Sequence, residues 1–205
     1  MAHPDWNDSY VASSLPWDTG APAPMLVAFV NAGSVAPGRT LEIGAGTGTN
    51  AIWLAEHGFD VLGVDVAPRA IEMARAKVTK ATAERCRFEV NDFLGEPPAG
   101  TFSFVFDRGC FHVFDGADQR ARFAANVARV LADGGVWLSL IGSTEGPPRE
   151  FGPPRRTARD IIDAVEPALA IEELSSGRME GPFDAAAWRF VARRRAMPAQ
   201  PSTRH

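Results

Sequence analysis

Gly44, Gly46 and Gly48 stand in a run with Glu42 two residues ahead of them, and Asp65 follows seventeen residues after Gly48. Glycines at that spacing let a turn adopt backbone angles closed to residues with a Cβ, and let a ligand approach the main chain. A carboxylate ending the next strand can accept hydrogen bonds from both hydroxyls of a ribose, as in doubly wound nucleotide folds. A dinucleotide fingerprint requires G-x-G-x-x-G, to seat a pyrophosphate on a helix N-terminus. Here the third glycine comes one place early, Thr49 occupies the place the fingerprint gives to glycine, and no P-loop Lys-Ser/Thr follows. Glu42 beside the turn would repel a pyrophosphate and suits a ligand carrying an ammonium group.

These elements must hold the carboxylates and the turn together. The pattern predicts a helix over 25–32 and a first strand over 39–43. A helix carrying Ile52, Trp53, Leu54 and Ala55 then stops at Gly58. A second strand over 59–64 leads to a helix opening at Pro68, a favoured first-turn proline. Strands follow over 86–90 and 102–106, the latter nearly continuously apolar, as a strand buried on both faces is. Phe123, Val127, Val130 and Leu131 make one helical stripe, and Asp133-Gly134-Gly135 turns into a strand over 136–141. A Pro/Gly-rich loop over 142–156, a helix over 157–165 and strands over 169–174 and 188–192 complete the expectation. Alternating strands and helices argue for an α/β, doubly wound, mostly parallel seven-stranded sheet. Residues 1–24 would form an N-terminal lid segment, 25–195 the domain, and 196–205 a disordered tail. Ligands of such sheets sit outside the carboxyl ends of the strands, so the loops after the first four strands converge on one site.

Composition narrows the function. The 205 residues suit one domain, and about 70% of the unfolded surface of a chain this long can be buried. A net charge of −4 with no basic stripe gives no reason to expect a nucleic-acid partner. The two cysteines, Cys86 and Cys110, have neither metal-ligand spacing nor a disulfide framework. No apolar run approaches the about 18 residues of a membrane span, and no secretory pattern is visible. A cytoplasmic enzyme without a metal or membrane partner is therefore expected.

E-x-G-x-G-x-G with a strand-end acid resembles motifs I and II of class I S-adenosyl-L-methionine (SAM)-dependent methyltransferases. The resemblance implies a Rossmann-like fold, SAM as cofactor, S-adenosyl-L-homocysteine as product and a small-molecule methyl acceptor. In that frame Glu42, Gly44, Gly46 and Asp65 bind the cofactor. Asn91, Asp92 and Phe93 follow the third strand; Asp92 would accept from an adenine amino group while Phe93 stacks on or borders the ring. Asp107, Arg108, Gly109, Cys110, Phe111 and His112 follow the fourth strand and would face the reacting methyl group. Arg108 can bind the cofactor carboxylate or an anionic acceptor, and Asp107 and His112 are the candidate bases. Trp6 and Trp17 offer tryptophan faces that attract a sulfonium, an interaction of about 0.5–2 kcal/mol. Tyr10, Phe111, His112 and Arg155 would border the acceptor.

The branch of the family is also suggested. Pro16-Trp17-Asp18-x-Gly20-x-Pro22-x-Pro24 resembles a P-W-D-x-G-x-x-x-P segment of plant thiol/halide methyltransferases. In that family two further tryptophans stand seven and eleven residues before the W-D pair. This chain has Tyr10 and Trp6 there, so Trp6 matches and Tyr10 departs. Asp107-Arg108-Gly109 resembles the D-R-G of thiopurine methyltransferases, and Gly152-Pro153-Pro154 resembles a G-P-P segment of theirs. Those enzymes have Leu and Cys where this chain has Glu42 and Ile43. The resemblance implies methyl transfer to a small soft nucleophile, most readily a thiol; O- or N-methylation of a natural product and a non-catalytic SAM-binding module are the alternatives. A thiol of pKa about 8.5 costs only about 2 kcal/mol to ionise at neutral pH, which suits a chain with no unambiguous base.

Overall fold

In the computed structural model residues 6–147, 154–179 and 185–195 are described. Helices α1 (Trp6–Val11) and α2 (Pro24–Asn31) precede β1 (Arg39–Ile43), α3 (Thr49–Glu56), β2 (Asp60–Asp65), α4 (Pro68–Lys77) and β3 (Cys86–Val90). Then come β4 (Phe102–Arg108), α5 (Ala117–Val130), β5 (Leu131–Gly142), α6 (Ala158–Val165), β6 (Leu169–Met179) and β7 (Ala185–Arg194). The seven strands form one sheet in the order β3-β2-β1-β4-β5-β7-β6. The pairings among β1 to β5 are parallel, while β7 runs antiparallel to both β5 and β6. The expected mostly parallel, doubly wound seven-stranded sheet is the fold observed.

Strand alternation divides the core into two layers. Phe104 and Phe106 of β4 enter the layer under α2 and α3, together with Leu26, Phe29 and Leu54. Val105, one residue between them, enters the opposite layer with Leu41, Ile43, Phe123 and Trp137. A period of two places neighbouring side chains on opposite faces, and each face is closed by a helical layer. This is why β4 reads as an unbroken apolar run.

Several elements differ from the sequence expectation. The aromatic N-terminal stretch contains a short helix, α1, which the polar pattern does not announce. β5 begins at Leu131, immediately after α5, because Leu131 pairs with Phe102 before the register shifts. The Asp133–Gly135 turn is therefore an irregularity within that strand. β6 and β7 extend well beyond the predicted segments, since antiparallel pairing continues from Leu169↔Arg194 to Met179↔Ala185. The expected tail over 196–205 and the first two residues of Gly152-Pro153-Pro154 lie outside the described residues.

Register then builds the site. Ile43 pairs with Val64 on one side and Asp107 on the other, and Asp65 pairs with Val90. The glycine loop, Asp65, the segment beginning at Asn91, and Arg108 thus leave the same end of the sheet.

Candidate functional site

The glycine loop takes the geometry its composition requires. Gly44, Gly46 and Gly48 have φ of 69°, 54° and 82°, all left-handed. A Cβ at Gly48 would lie 2.6 Å from the Phe88 ring and 2.9 Å from Ala74, so that glycine also allows α3 and α4 to close on the sheet. At Gly46 a Cβ would lie 3.1 Å from the Tyr10 hydroxyl. The loop is therefore roofed by the N-terminal segment.

Asp65 ends β2 and is largely buried. Its Oδ2 accepts from the Gly46 N–H at 2.9 Å and its Oδ1 from the Ala67 N–H at 2.9 Å. One carboxylate thus pins the glycine loop and the start of α4. Burial raises its pKa, against the opposing effect of those backbone donors.

Glu42 is 1% exposed. Its Oε1 accepts from Asn50 Nδ2 at 3.0 Å, while Oε2 is buried with no hydrogen-bond partner. Burial pushes the carboxyl up to about 8; the Asn50 hydrogen bond and the nearby Ala51 N–H pull the other way, Asp65 raises it further and Arg108 lowers it. An unpartnered buried carboxylate oxygen at a glycine turn is a costly arrangement. A ligand ammonium would complete it, so the residues present fit the amino-acid end of SAM.

The N-terminal segment closes over this end of the sheet. Trp6 and Trp17 meet edge-on with centroids 5.8 Å apart, and Tyr10 meets Trp17 edge-on at 6.1 Å. The three pack on Ala67 and Ala70, at the start of α4. Polar contacts fix the segment as well. Arg108 Nη1 donates to the Trp17 carbonyl at 2.9 Å. Lys77 Nζ donates to Thr47 Oγ1, which donates to Asp18 Oδ2, both at 2.6 Å. The Arg69 N–H, in the unpaired first turn of α4, donates to Asn7 Oδ1 at 2.9 Å. Sequence reasoning missed Thr47, Lys77 and Asn50, because each acts through a partner remote in the chain. The aspartate of the W-D pair was the only available pointer to this network.

The remaining expected residues have these surroundings. Asp107 is fully buried and both of its carboxylate oxygens are engaged: Oδ2 accepts from the Cys110 and Phe111 N–H groups at 3.2 and 3.0 Å, and Oδ1 from Trp137 Nε1 at 2.9 Å. It holds the turn after β4, with burial raising its carboxyl to about 6. His112 is 3% exposed, and its Nδ1 accepts from the Gly142 N–H at 2.8 Å. A neutral ring in that arrangement carries its proton on Nε2, so taking up a second proton would cost the bond to Gly142. Phe111 is fully buried against Phe123 and Trp137 rather than bordering an acceptor. Phe93 is likewise buried, its ring 5.0 Å from that of Phe123, and so is spent on the core rather than on a cofactor ring.

The rest lie as follows. Asp92 is exposed and its Oδ1 accepts from the Leu94 N–H at 3.1 Å, an Asx turn. Asn91 Nδ2 donates to the Glu96 carbonyl at 3.0 Å. Buried Asn126 of α5 holds the carbonyls of Phe93 and Leu94, which sets the course of this loop. Tyr10, expected at the acceptor, abuts the glycine loop, and burial followed by the Asp65 charge raises its pKa. Arg155 Nη1 donates to the Pro147 carbonyl at 3.2 Å within the Pro/Gly-rich loop. Among the described residues no cluster of metal-ligating side chains is present, and no helix is long and apolar enough to cross a membrane.

Known proteins match this architecture. The family described as a methyltransferase domain matches residues 40–135. A probable thiol methyltransferase 2 from Arabidopsis thaliana is 30% identical over 171 residues, 83% of this chain and 74% of its own length. A 2-heptyl-1-hydroxyquinolin-4(1H)-one methyltransferase from Mycobacteroides abscessus is 27% identical over 189 residues, 88% of this chain and 82% of its own. Among solved structures, one described for the conversion of a disulfide bond into a thioacetal group during echinomycin biosynthesis superposes with a TM-score of 0.76. It is 30% identical, covering 87% of this chain and 85% of that one.

Proposed function

The chain belongs to the class I SAM-dependent methyltransferases, in the thiol methyltransferase branch, and on that premise we propose that it methylates the sulfur of a small thiol. Its cofactor is SAM, which supplies an electrophilic methyl group on a sulfonium. Glu42 Oε2 and the Asp65 carboxylate would hold the ammonium and the ribose, and the aromatic cluster of Trp6, Tyr10 and Trp17 would exclude water from above. Arg108, fixed by the Trp17 carbonyl, places a positive charge at the end of β4, where an anionic acceptor is favoured.

The observation that carries the sulfur reading is the engagement of both candidate bases. Asp107 accepts three hydrogen bonds, and Nδ1 of His112 is committed to the backbone of Gly142. An acceptor that ionises unaided near neutral pH avoids the need for either: a thiol loses its proton to water, its sulfur lone pair bonds the methyl carbon, and the old carbon–sulfur bond breaks to leave S-adenosylhomocysteine. Orientation is then the main contribution of the protein, and well-aligned sites gain as much as about 7–11 kcal/mol. The similarity to the plant thiol methyltransferase supports the same reading.

A second reading has its own support, since the relative from Mycobacteroides abscessus is named for a hydroxyquinolone. Mass spectrometry of products formed with methyl-labelled SAM separates the two. Thiols of graded acidity should be methylated at sulfur, at rates rising with their thiolate fraction. Label appearing solely on hydroxylated heterocycles would move the assignment to oxygen, and no S-adenosylhomocysteine from any acceptor would reduce the protein to a binding module.

A further inference from the structure

We infer that Asn50 is a positioning residue: it aims the Glu42 carboxylate at the cofactor's amino end and ties it to the backbone where the N-terminal segment joins α2. The inference rests on the cofactor reading of the site and is independent of the acceptor. Asn50 is the second residue of α3. Its Nδ2 donates to Glu42 Oε1 at 3.0 Å, and its Oδ1 accepts from the Ala23 N–H at 2.9 Å. A carboxylate oxygen demands a donor and an N–H demands an acceptor, so the two partners fix the orientation of the amide.

That orientation has two consequences. Holding Oε1 leaves Oε2 as the oxygen without a partner, and a carboxyl held at one end cannot swing freely about its last torsion. The same side chain also clamps Ala23, which lies between Pro22 and Pro24 just ahead of α2. The amino-acid end of the cofactor and the base of the covering segment are therefore connected through one amide. Helix propensity gives no reason for Asn here, because Ala is better in a helix by about 0.7 kcal/mol. The charged or titratable groups acting on Glu42 are Asp65 of β2 and Arg108 of β4, and Glu42 in turn acts on Cys86 of β3. Like Arg108, and against burial and Asp65, the Asn50 bond favours the ionised carboxylate.

A double-mutant cycle tests this, with S-adenosylhomocysteine titrated calorimetrically into wild type, Asn50→Ala, Glu42→Gln and the double variant. Asn50→Ala should weaken binding about tenfold at pH 8, the size of one lost hydrogen bond to a charged group. It should also move the midpoint of the pH dependence upward. The double variant should bind within about twofold of Glu42→Gln alone, since Asn50 acts through that carboxylate. Hydrogen exchange at the Ala23 amide should quicken in Asn50→Ala and stay unchanged in Glu42→Gln. Additive losses, or an unmoved midpoint, overturn the inference while leaving the cofactor reading intact; wild type that binds no S-adenosylhomocysteine overturns both. Melting curves accompany each variant, and Asn50→Ser takes the place of Asn50→Ala in the same cycle if alanine prevents folding.

Discussion

Replacing Glu42 by glutamine keeps the volume and the oxygen facing Asn50 but removes the charge and the titration. In wild type without cofactor, burial raises the carboxyl to about 8, so it is mostly protonated at pH 7. Forming an ion pair with the cofactor's ammonium then requires loss of that proton. In the limit where only the ionised form binds, affinity for S-adenosylhomocysteine rises about tenfold per pH unit well below 8 and flattens at 8, or about 50-fold from pH 6 to 8. Glutamine removes this dependence. At pH 8 it should cost a charge-assisted hydrogen bond of about 1.5–3 kcal/mol, a 10- to 150-fold weaker Kd. At pH 6, where the wild-type group is protonated, the two proteins should nearly converge. The assay is isothermal titration at pH 6, 7 and 8 in buffers of different ionisation enthalpy, which counts the protons released. The slope measured on Glu42→Gln carries the ligand's own amine titration and is subtracted. Equal slopes for the two proteins, or no net proton release from wild type at pH 7, would refute the reasoning. Stability supplies a second check of sign. A carboxyl raised from 4.5 to about 8 on folding stabilises the fold fully below 4.5, and that stabilisation is lost as pH rises through 8. At 1.36 kcal/mol per unit the span is on the order of 5 kcal/mol. Wild type should therefore lose Tm relative to Glu42→Gln between pH 6 and 9.

Asp65→Ala removes the acceptor of both the Gly46 and Ala67 N–H groups; two hydrogen bonds to a charge predict SAM binding weaker by about 100-fold or more by calorimetry. Gly48→Ala meets the Phe88 ring at 2.6 Å with φ at +82°, so a loss of about 2–4 kcal/mol in denaturant unfolding is expected, and an unchanged midpoint would contradict the loop geometry. His112→Phe leaves the Gly142 N–H without its acceptor and should lower stability by about 1–3 kcal/mol while keeping the shape of the pH–rate profile with thiols; loss of one limb of that profile would restore His112 as a base. Asp107→Asn places an NH2 among three donors, and a fall of about 2–4 kcal/mol should be read in thermal unfolding.

The turn after β1, its glycines, Glu42 and Asp65 were legible in the amino-acid order, because strand, turn and helix there are contiguous and each residue's role depends on near neighbours. The seven strands were legible for the same reason: apolar periodicity is a local property. The site's remaining assignments depended on burial, which is decided at long range. Asp107 and His112 have the side chains of bases, but Trp137 and the Gly142 backbone, each 30 residues away, engage them. Phe93 and Phe111 have the rings of ligand-stacking residues, yet both pack on Phe123, a contact that exists once α5 lies against the sheet. Asn50 reads as an ordinary helical residue until folding brings Ala23, 27 positions earlier, beside it. The order of residues determined which groups leave the carboxyl end of the sheet. Packing decided which of them keep a polar atom for a ligand: Asp65 spends one acceptor site on each oxygen and keeps others, while the Asp107 carboxylate is enclosed among its partners and the Phe93 and Phe111 rings are closed into the core.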